Sequence, residues 1–148
     1  MSILNRSKLA IVFVSAIEVY SSNAASQEVH WHKSAPKAVD AAHRSGRKIL
    51  ISVGAEWCGF CKKMDREVWQ DRLVSQAVTT NFIPLKLTDE EHKAPIESLD
   101  VQAFPTIFVF TTDRKLLARM EGFVDSEQML DALNRIHSAT KERIIPER

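Results

Sequence analysis

The chain has 148 residues, of which 45% are hydrophobic and 26% charged, and its formal net charge at pH 7 is +1. That length suffices for one globular domain with a modest core. Glycine and proline are scarce, so no long low-complexity linker is expected. A net charge near zero without a basic block argues against a nucleic-acid-binding protein.

The first 24 residues have the pattern of a secretory signal peptide. Arg6 and Lys8 precede an apolar run over residues 9–17, and Ser22 and Ala24 place small residues at −3 and −1 of a cut after Ala24. A run this short cannot span a bilayer, which needs about 20 residues. We therefore predict a signal peptide over residues 1–24 and a mature domain over 25–148. An uncleaved anchor and a buried N-terminal strand are the alternatives.

Export would place both cysteines in an oxidising compartment, where disulfide chemistry is relevant. The expected location is the periplasm if the source is a Gram-negative bacterium. Cleavage would leave 18 basic and 18 acidic residues, so the mature domain would be neutral and again a poor candidate for nucleic-acid binding.

In chain order, the mature sequence first predicts a short, half-exposed strand, because Val29 and Trp31 alternate with polar residues. A helix follows, capped by Ser34, with Pro36 in its first turn, and it ends at Gly46. The apolar, β-branched run over residues 49–53 predicts a buried strand.

The remaining elements follow from periodicity and turn signals. Pro84 indicates either that the third strand is an edge strand or that the proline lies at the entry of the strand. The predicted order is β-α-β-α-β-α-β-β-α, where the two successive helices after residue 58 are counted as one helical segment, and this order is that of an α/β protein. The elements after residue 58 are a helix beginning at Gly59, a helix over 73–80, a strand over 82–87, a short helix over 94–99, strands over 106–110 and 116–120, and a helix over 126–136.

The two cysteines, Cys58 and Cys61, lie where the buried strand passes into a helix, a common position for sites in α/β proteins. A zinc site needs four ligands, and neither a second cysteine pair nor suitably spaced histidines are present. Covalent haem attachment needs His after the second cysteine, where Lys62 stands instead. A structural disulfide closing so small a loop would stabilise the fold little.

A redox-active cysteine pair accounts for more features of this motif than a zinc site, a haem attachment site or a structural disulfide does. Cys58 falls at the helix N-terminus, where free N–H groups and the helix dipole stabilise a thiolate. Cys61 falls one turn further on, is expected to be the more buried, and can resolve a mixed disulfide. Lys62 adds positive potential.

The segment Trp57-Cys58-Gly59-Phe60-Cys61-Lys62 resembles the active-site motif of thioredoxin-like proteins. The resemblance extends from the strand before it to Pro105 and Gly122, and the run CKKMDREVW is most similar to an exported branch of that family. It implies the thioredoxin fold, a central mixed β-sheet flanked by helices, here with an N-terminal strand–helix extension.

By this resemblance, Cys58 is the nucleophile and Cys61 the resolving thiol. Pro105 is expected to be cis, leaving the preceding backbone free to pair with an extended substrate. An ordinary trans proline at the start of a strand is the alternative. Trp57, Lys62, Glu56 and Pro105 are the expected supporting residues. Core packing is the alternative for Trp57 and Phe104. The substrate groove is expected to be lined by Trp57, Gly59, Phe60, Phe104, Pro105 and Gly122.

Two positions depart from the family pattern. Ser52 stands where thioredoxins carry a buried Asp that is proposed to take the proton of the resolving thiol. Phe60 replaces the usual Pro, so the redox potential cannot be carried over. Lys86 matches a Lys that partners the missing Asp, and without that partner it is expected to extend to solvent. Glu56, the nearest carboxylate in sequence, is expected to face water.

The sequence therefore predicts an exported, monomeric thiol–disulfide oxidoreductase that needs no metal or cofactor beyond the Cys58–Cys61 pair. Its expected partners are secreted protein thiols and disulfides, and a membrane electron-transfer protein that resets the pair. One alternative is a dedicated reductase for cytochrome c maturation. The other is a non-enzymatic thioredoxin-fold binding module with a static Cys58–Cys61 bridge.

Overall fold

The computed structural model describes residues 28–142; the predicted signal peptide lies outside the described residues. The helices and strands follow the predicted order closely from residue 35 onward. They are α1 (Ala35–Ser45), β1 (Lys48–Gly54), α2 (Gly59–Glu67), α3 (Arg72–Asn81), β2 (Phe82–Thr88), α4 (Lys93–Ser98), β3 (Thr106–Phe110), β4 (Leu116–Glu121) and α5 (Ser126–Glu142).

These strands form one mixed sheet in the order β2-β1-β3-β4. β1 runs parallel to β2 and antiparallel to β3, and β3 runs antiparallel to β4. The edge position of β2 agrees with the prediction made from Pro84. The mixed sheet flanked by helices confirms the predicted fold class.

The predicted strand at the N-terminus is reduced to a single bridge. His32 N–H donates to Pro84 O at 2.9 Å, and Lys86 N–H donates to His32 O at 2.9 Å, which pairs His32 with Leu85. The next parallel pair would need an N–H on Pro84, which proline lacks. The extension is therefore an extended segment anchored at one residue, and the prediction of a short strand was wrong because only His32 pairs with the sheet.

Alternation along β1 divides the core into two layers. Leu50 faces α2, α3 and α5, where it packs among Met64, Val74 and Met129. Ile49, Ile51 and Val53 face α1 and α4 on the other side of the sheet. Ser52 and Gly54 share the face of Leu50, so the end of β1 points its small residues toward α2.

Candidate active site

The cysteine motif lies at the carboxyl end of β1, as predicted. Cys58 is the N-cap of α2, and its Sγ accepts a hydrogen bond from Cys61 N–H at 3.1 Å. A disulfide joins Cys58 and Cys61, whose Cα atoms are 5.3 Å apart. The helix N-terminus thus directs an N–H at the sulfur that would carry charge after reduction, an arrangement that stabilises a thiolate.

The relative exposure of the two cysteines differs from the prediction. Cys58 is 5% exposed, whereas Cys61 is partly exposed and borders an open cleft. The expectation that Cys61 is the more buried is therefore wrong in the disulfide-bonded state. Gly54, at the end of β1, lines this cleft together with Cys61.

Gly54 lies directly against the second cysteine. A Cβ placed on Gly54 would lie 3.0 Å from Cys61 Sγ and 3.3 Å from Cys61 Cβ. A side chain at this position would displace the sulfur or the strand. Sequence reasoning missed this residue, although a glycine at the end of an apolar strand signals a close approach of other atoms.

Pro105 is buried and is preceded by a cis peptide bond, as the resemblance implies. Its carbonyl accepts a hydrogen bond from Gly122 N–H at 2.7 Å. Gly122 has a φ of +83°, a left-handed conformation that favours glycine. Within residues 28–142, neither the N–H nor the C=O of Phe104 has a backbone partner. That pair of groups is the one expected to bind an extended substrate.

An aromatic surface surrounds these elements. Trp57 is 72% exposed, so the alternative of core packing is excluded for it, and Phe60 is 61% exposed. Trp57 contacts Phe104 edge to face, with ring centroids 5.8 Å apart, and Phe60 lies 6.2 Å from Phe123. Phe104 is partly buried and also packs against the core layer beneath it.

The structure places all of the predicted groove residues in or beside this aromatic surface except Gly122, which supports it through Pro105. Gly59 is exposed at the start of α2, with open space around it. Phe123 was missed by the sequence reasoning. Its position next to Gly122 was the only available signal.

A second surface, the charged cleft, borders Cys61. It has a volume of about 440 Å³ and is open to solvent. Glu56 and Lys62, two of the predicted supporting residues, lie here and are exposed. The Glu56 N–H donates to Glu90 Oε1 at 2.9 Å. The cleft is lined by Gly54, Ala55, Glu56, Cys61, Lys62, Asp65, Lys86 and Thr88.

Lys86 does not extend freely to solvent, contrary to the prediction. Its Nζ lies 2.6 Å from Asp65 Oδ1, and its side chain is 30% exposed. Trp31 adds a second contact, since Lys86 Nζ lies 5.9 Å from the Trp31 ring centroid. Ser52 is buried and is the register partner of Lys86 across β1 and β2. A carboxylate therefore partners Lys86 after all, but it comes from α2 rather than from β1.

Comparison with known proteins agrees with this geometry. Residues 35–137 match the family model described as "Thioredoxin-like domain". The chain belongs to the thioredoxin-like family. Family membership and the joined cysteine pair together support disulfide oxidoreductase activity. In this family the redox-active group is the disulfide itself.

One curated relative is the thiol:disulfide interchange protein DsbD of Yersinia pestis, 25% identical over 105 residues. The match covers 68% of this chain but only 18% of that protein's length. The fold is similar to that of a thioredoxin from Thermus thermophilus, with a TM-score of 0.67, 20% identity and coverage of 74% of this chain and 87% of that one. It is also similar to the DsbD C-terminal domain of Neisseria meningitidis in the oxidised form, with a TM-score of 0.60, 21% identity and coverage of 72% and 98%.

Two further observations apply to residues 28–142. No three or more His, Cys, Asp or Glu side chains in this range are grouped as a metal site would require. None of the helices in this range combines the length and apolar character needed to cross a membrane.

Proposed function

We propose that the chain is an exported thiol–disulfide oxidoreductase that exchanges disulfides with secreted proteins through Cys58 and Cys61. The observation that carries this proposal is the disulfide at the N-terminus of α2, with Cys58 Sγ accepting the Cys61 N–H, beside exposed aromatic side chains. The mature protein is residues 25–148. In a Gram-negative source it works in the periplasm.

The exchange proceeds in two balanced steps. The Cys58 thiolate attacks one sulfur of a substrate disulfide, and the other substrate sulfur leaves as a thiolate. The Cys61 thiolate then attacks Cys58 Sγ, which releases the second substrate sulfur as a thiolate and forms the Cys58–Cys61 bond. Two electrons pass to the substrate. The reverse sequence oxidises a substrate dithiol.

Substrate binding uses the aromatic surface and the free backbone of Phe104. Trp57 and Phe60 offer apolar contact on either side of Cys58, and the Phe104 N–H and C=O can pair with an extended segment. A shallow surface of this kind fits an unfolded or flexible protein segment rather than a small molecule. A membrane electron-transfer protein is the partner proposed to reset the cysteine pair.

Trapping in cells tests the proposal. With Cys61→Ser, a mixed disulfide on Cys58 cannot be resolved from within, so non-reducing gels should show adducts sensitive to dithiothreitol. Cys58→Ser and the double variant should show none, because the attacking sulfur is absent. If adducts formed on the Cys58→Ser variant and not on the Cys61→Ser variant, Cys61 would be the nucleophile and Cys58 the resolving thiol.

The equilibrium redox potential of the Cys58–Cys61 pair, measured against glutathione, distinguishes a redox-active pair from the alternative of a static bridge. A structural disulfide typically has a potential below about −300 mV, and a working couple lies above it. A value below that limit, together with no adducts in Cys61→Ser, would reject the proposed activity.

A further inference from the structure

The second step of the proposed exchange poses a problem of proton transfer. Cys61 must lose its proton before it can attack Cys58, and an ordinary thiol, with a pKa near 8.5, is mostly protonated at neutral pH. Ser52 occupies the position where the resemblance places a carboxylate. A hydroxyl cannot act as a base at pH 7, so another group is needed.

Asp65 is placed for this task by two elements. It follows Cys61 by four residues on α2, so the two side chains share one face of the helix, and both line the charged cleft. Lys86, on β2, donates a hydrogen bond from its Nζ to Asp65 Oδ1, and the two atoms are 2.6 Å apart. Lys86 is itself placed by its contact with the Trp31 ring. The carboxylate is therefore fixed from the sheet as well as from its own helix.

Other charged groups face the same cleft without this arrangement. Lys62 and Glu56 line it, and both are exposed. An adjoining cleft, which shares Lys86, adds Lys33, Glu91 and His92. The His92 ring is already engaged by Thr88 N–H at 3.2 Å and by Lys33 O at 2.8 Å. Asp65 is the carboxylate in this cleft that both shares a helix face with Cys61 and is held by an ion pair.

We propose that Asp65 accepts the proton of Cys61 during resolution, in place of the carboxylate missing at Ser52. The inference rests on the proposed function. The S–H bond of Cys61 breaks, the proton passes to the Asp65 carboxylate through water in the open cleft, and the Cys61 thiolate attacks Cys58 Sγ. The substrate sulfur leaves as a thiolate. The proton on Asp65 then returns to solvent.

The test separates the two steps in time. Reduced protein is mixed by stopped flow with an aromatic disulfide that releases one coloured thiolate when Cys58 attacks and a second when Cys61 resolves. Asp65→Asn should slow the second release about tenfold or more at pH 7 and leave the first unchanged. The difference should shrink above about pH 9, where a thiol ionises unaided.

Matched variants show whether a slower second phase in Asp65→Asn is specific to the carboxylate at residue 65. Glu67→Gln makes the same charge change on α2 at a residue that pairs with Lys63 and lies outside the cleft, so both phases should keep their rates. Asp65→Glu should retain most of the second phase. Ser52→Asp should restore it in the Asp65→Asn background, because residue 52 lies opposite Lys86 in the sheet. Asp65→Ser is the second variant should Asp65→Asn fail to fold.

The outcomes distinguish a failure of the role inferred for Asp65 from a failure of the proposed oxidoreductase function. A second phase that is equal or faster in Asp65→Asn at every pH would overturn the role of Asp65, since a carboxylate that acts only by its charge would oppose thiolate formation. Absence of the first phase in the wild-type protein would instead reject the proposed function. Loss of the second phase in Glu67→Gln would show that any charge change on α2 has this effect, which also overturns the inference.

Discussion

At the residue scale, Cys61 packs directly against Gly54, a residue without a side chain. Gly54 ends β1, and Cys61 Sγ lies so close to it that a Cβ on Gly54 would be 3.0 Å from the sulfur. Both residues line the cleft through which the proton of Cys61 is proposed to leave. A glycine with an ordinary negative φ is thus required here by packing rather than by backbone conformation.

Gly54→Ala should therefore destabilise the oxidised protein by about 1–3 kcal/mol, because the new methyl overlaps Cys61 or forces β1 to shift. Denaturant melts of the oxidised protein measure this change. Gly59→Ala is the matched control for stability, since a Cβ there meets nothing within 4 Å and alanine favours a helix. Equal loss in both variants would show that the contact with Cys61 is not the cause.

At the element scale, the N-terminal segment supports the site although it forms no strand of its own. Trp31 packs edge to face on the buried Trp69, with ring centroids 5.1 Å apart, and its ring also contacts Lys86. Since Lys86 holds Asp65, a segment far from the cysteines in sequence helps to fix the charged cleft.

Trp31→Ala should accordingly lower the free energy of unfolding by about 2 kcal/mol, because it removes half-buried aromatic area and the ring pair with Trp69. Trp57→Ala is the matched control, since that ring is 72% exposed and its loss should change stability by less than about 0.5 kcal/mol. Chemical denaturation of both variants makes the comparison. A smaller loss for Trp31→Ala than for Trp57→Ala would refute the anchoring role of the segment.

Most elements could be predicted from sequence because their signals are local. Pro36 and Gly46 mark the ends of α1, and the run over 106–110 coincides with β3. α5 continues to Glu142, beyond the predicted end at Ile136, so the helix extends past its apolar stripe, and Ala139, Lys141 and Glu142 in this extension have good helix propensity. The length of that extension is not encoded in hydrophobic periodicity.

The parts of the site that sequence reasoning missed depend on tertiary neighbours. The pairing of Lys86 with Asp65 joins β2 to α2 across 21 residues, and no spacing rule indicates it. The close approach of Cys61 to Gly54 likewise joins α2 to the end of β1. The cysteine pair and Pro105 could be placed in advance because their signals are a short motif and a family resemblance.

At the scale of the whole molecule, the cysteine pair lies between two unlike surfaces. Trp57, Phe60 and Phe104 form the aromatic surface, which is proposed to bind substrate. Asp65 and Lys86 lie in the charged cleft, which is proposed to remove the proton. Under the proposed function, this division would let substrates of varied sequence bind without disturbing the ion pair, because the two surfaces share few residues beyond the cysteine motif.

The predicted signal peptide would end shortly before the part of the chain that the structure describes. A cut after Ala24 would leave three residues before Glu28, where the described chain begins, so Trp31 and its contacts would be retained. Expression of the full sequence in a Gram-negative host should give a periplasmic protein whose intact mass corresponds to residues 25–148. Ala24→Leu should retain the precursor mass, because a large residue at −1 blocks cleavage. A cytoplasmic protein of full-length mass from the wild-type sequence would refute export and, with it, the proposed secreted substrates. The exchange chemistry of Cys58 and Cys61 would then be judged by the trapping experiment alone.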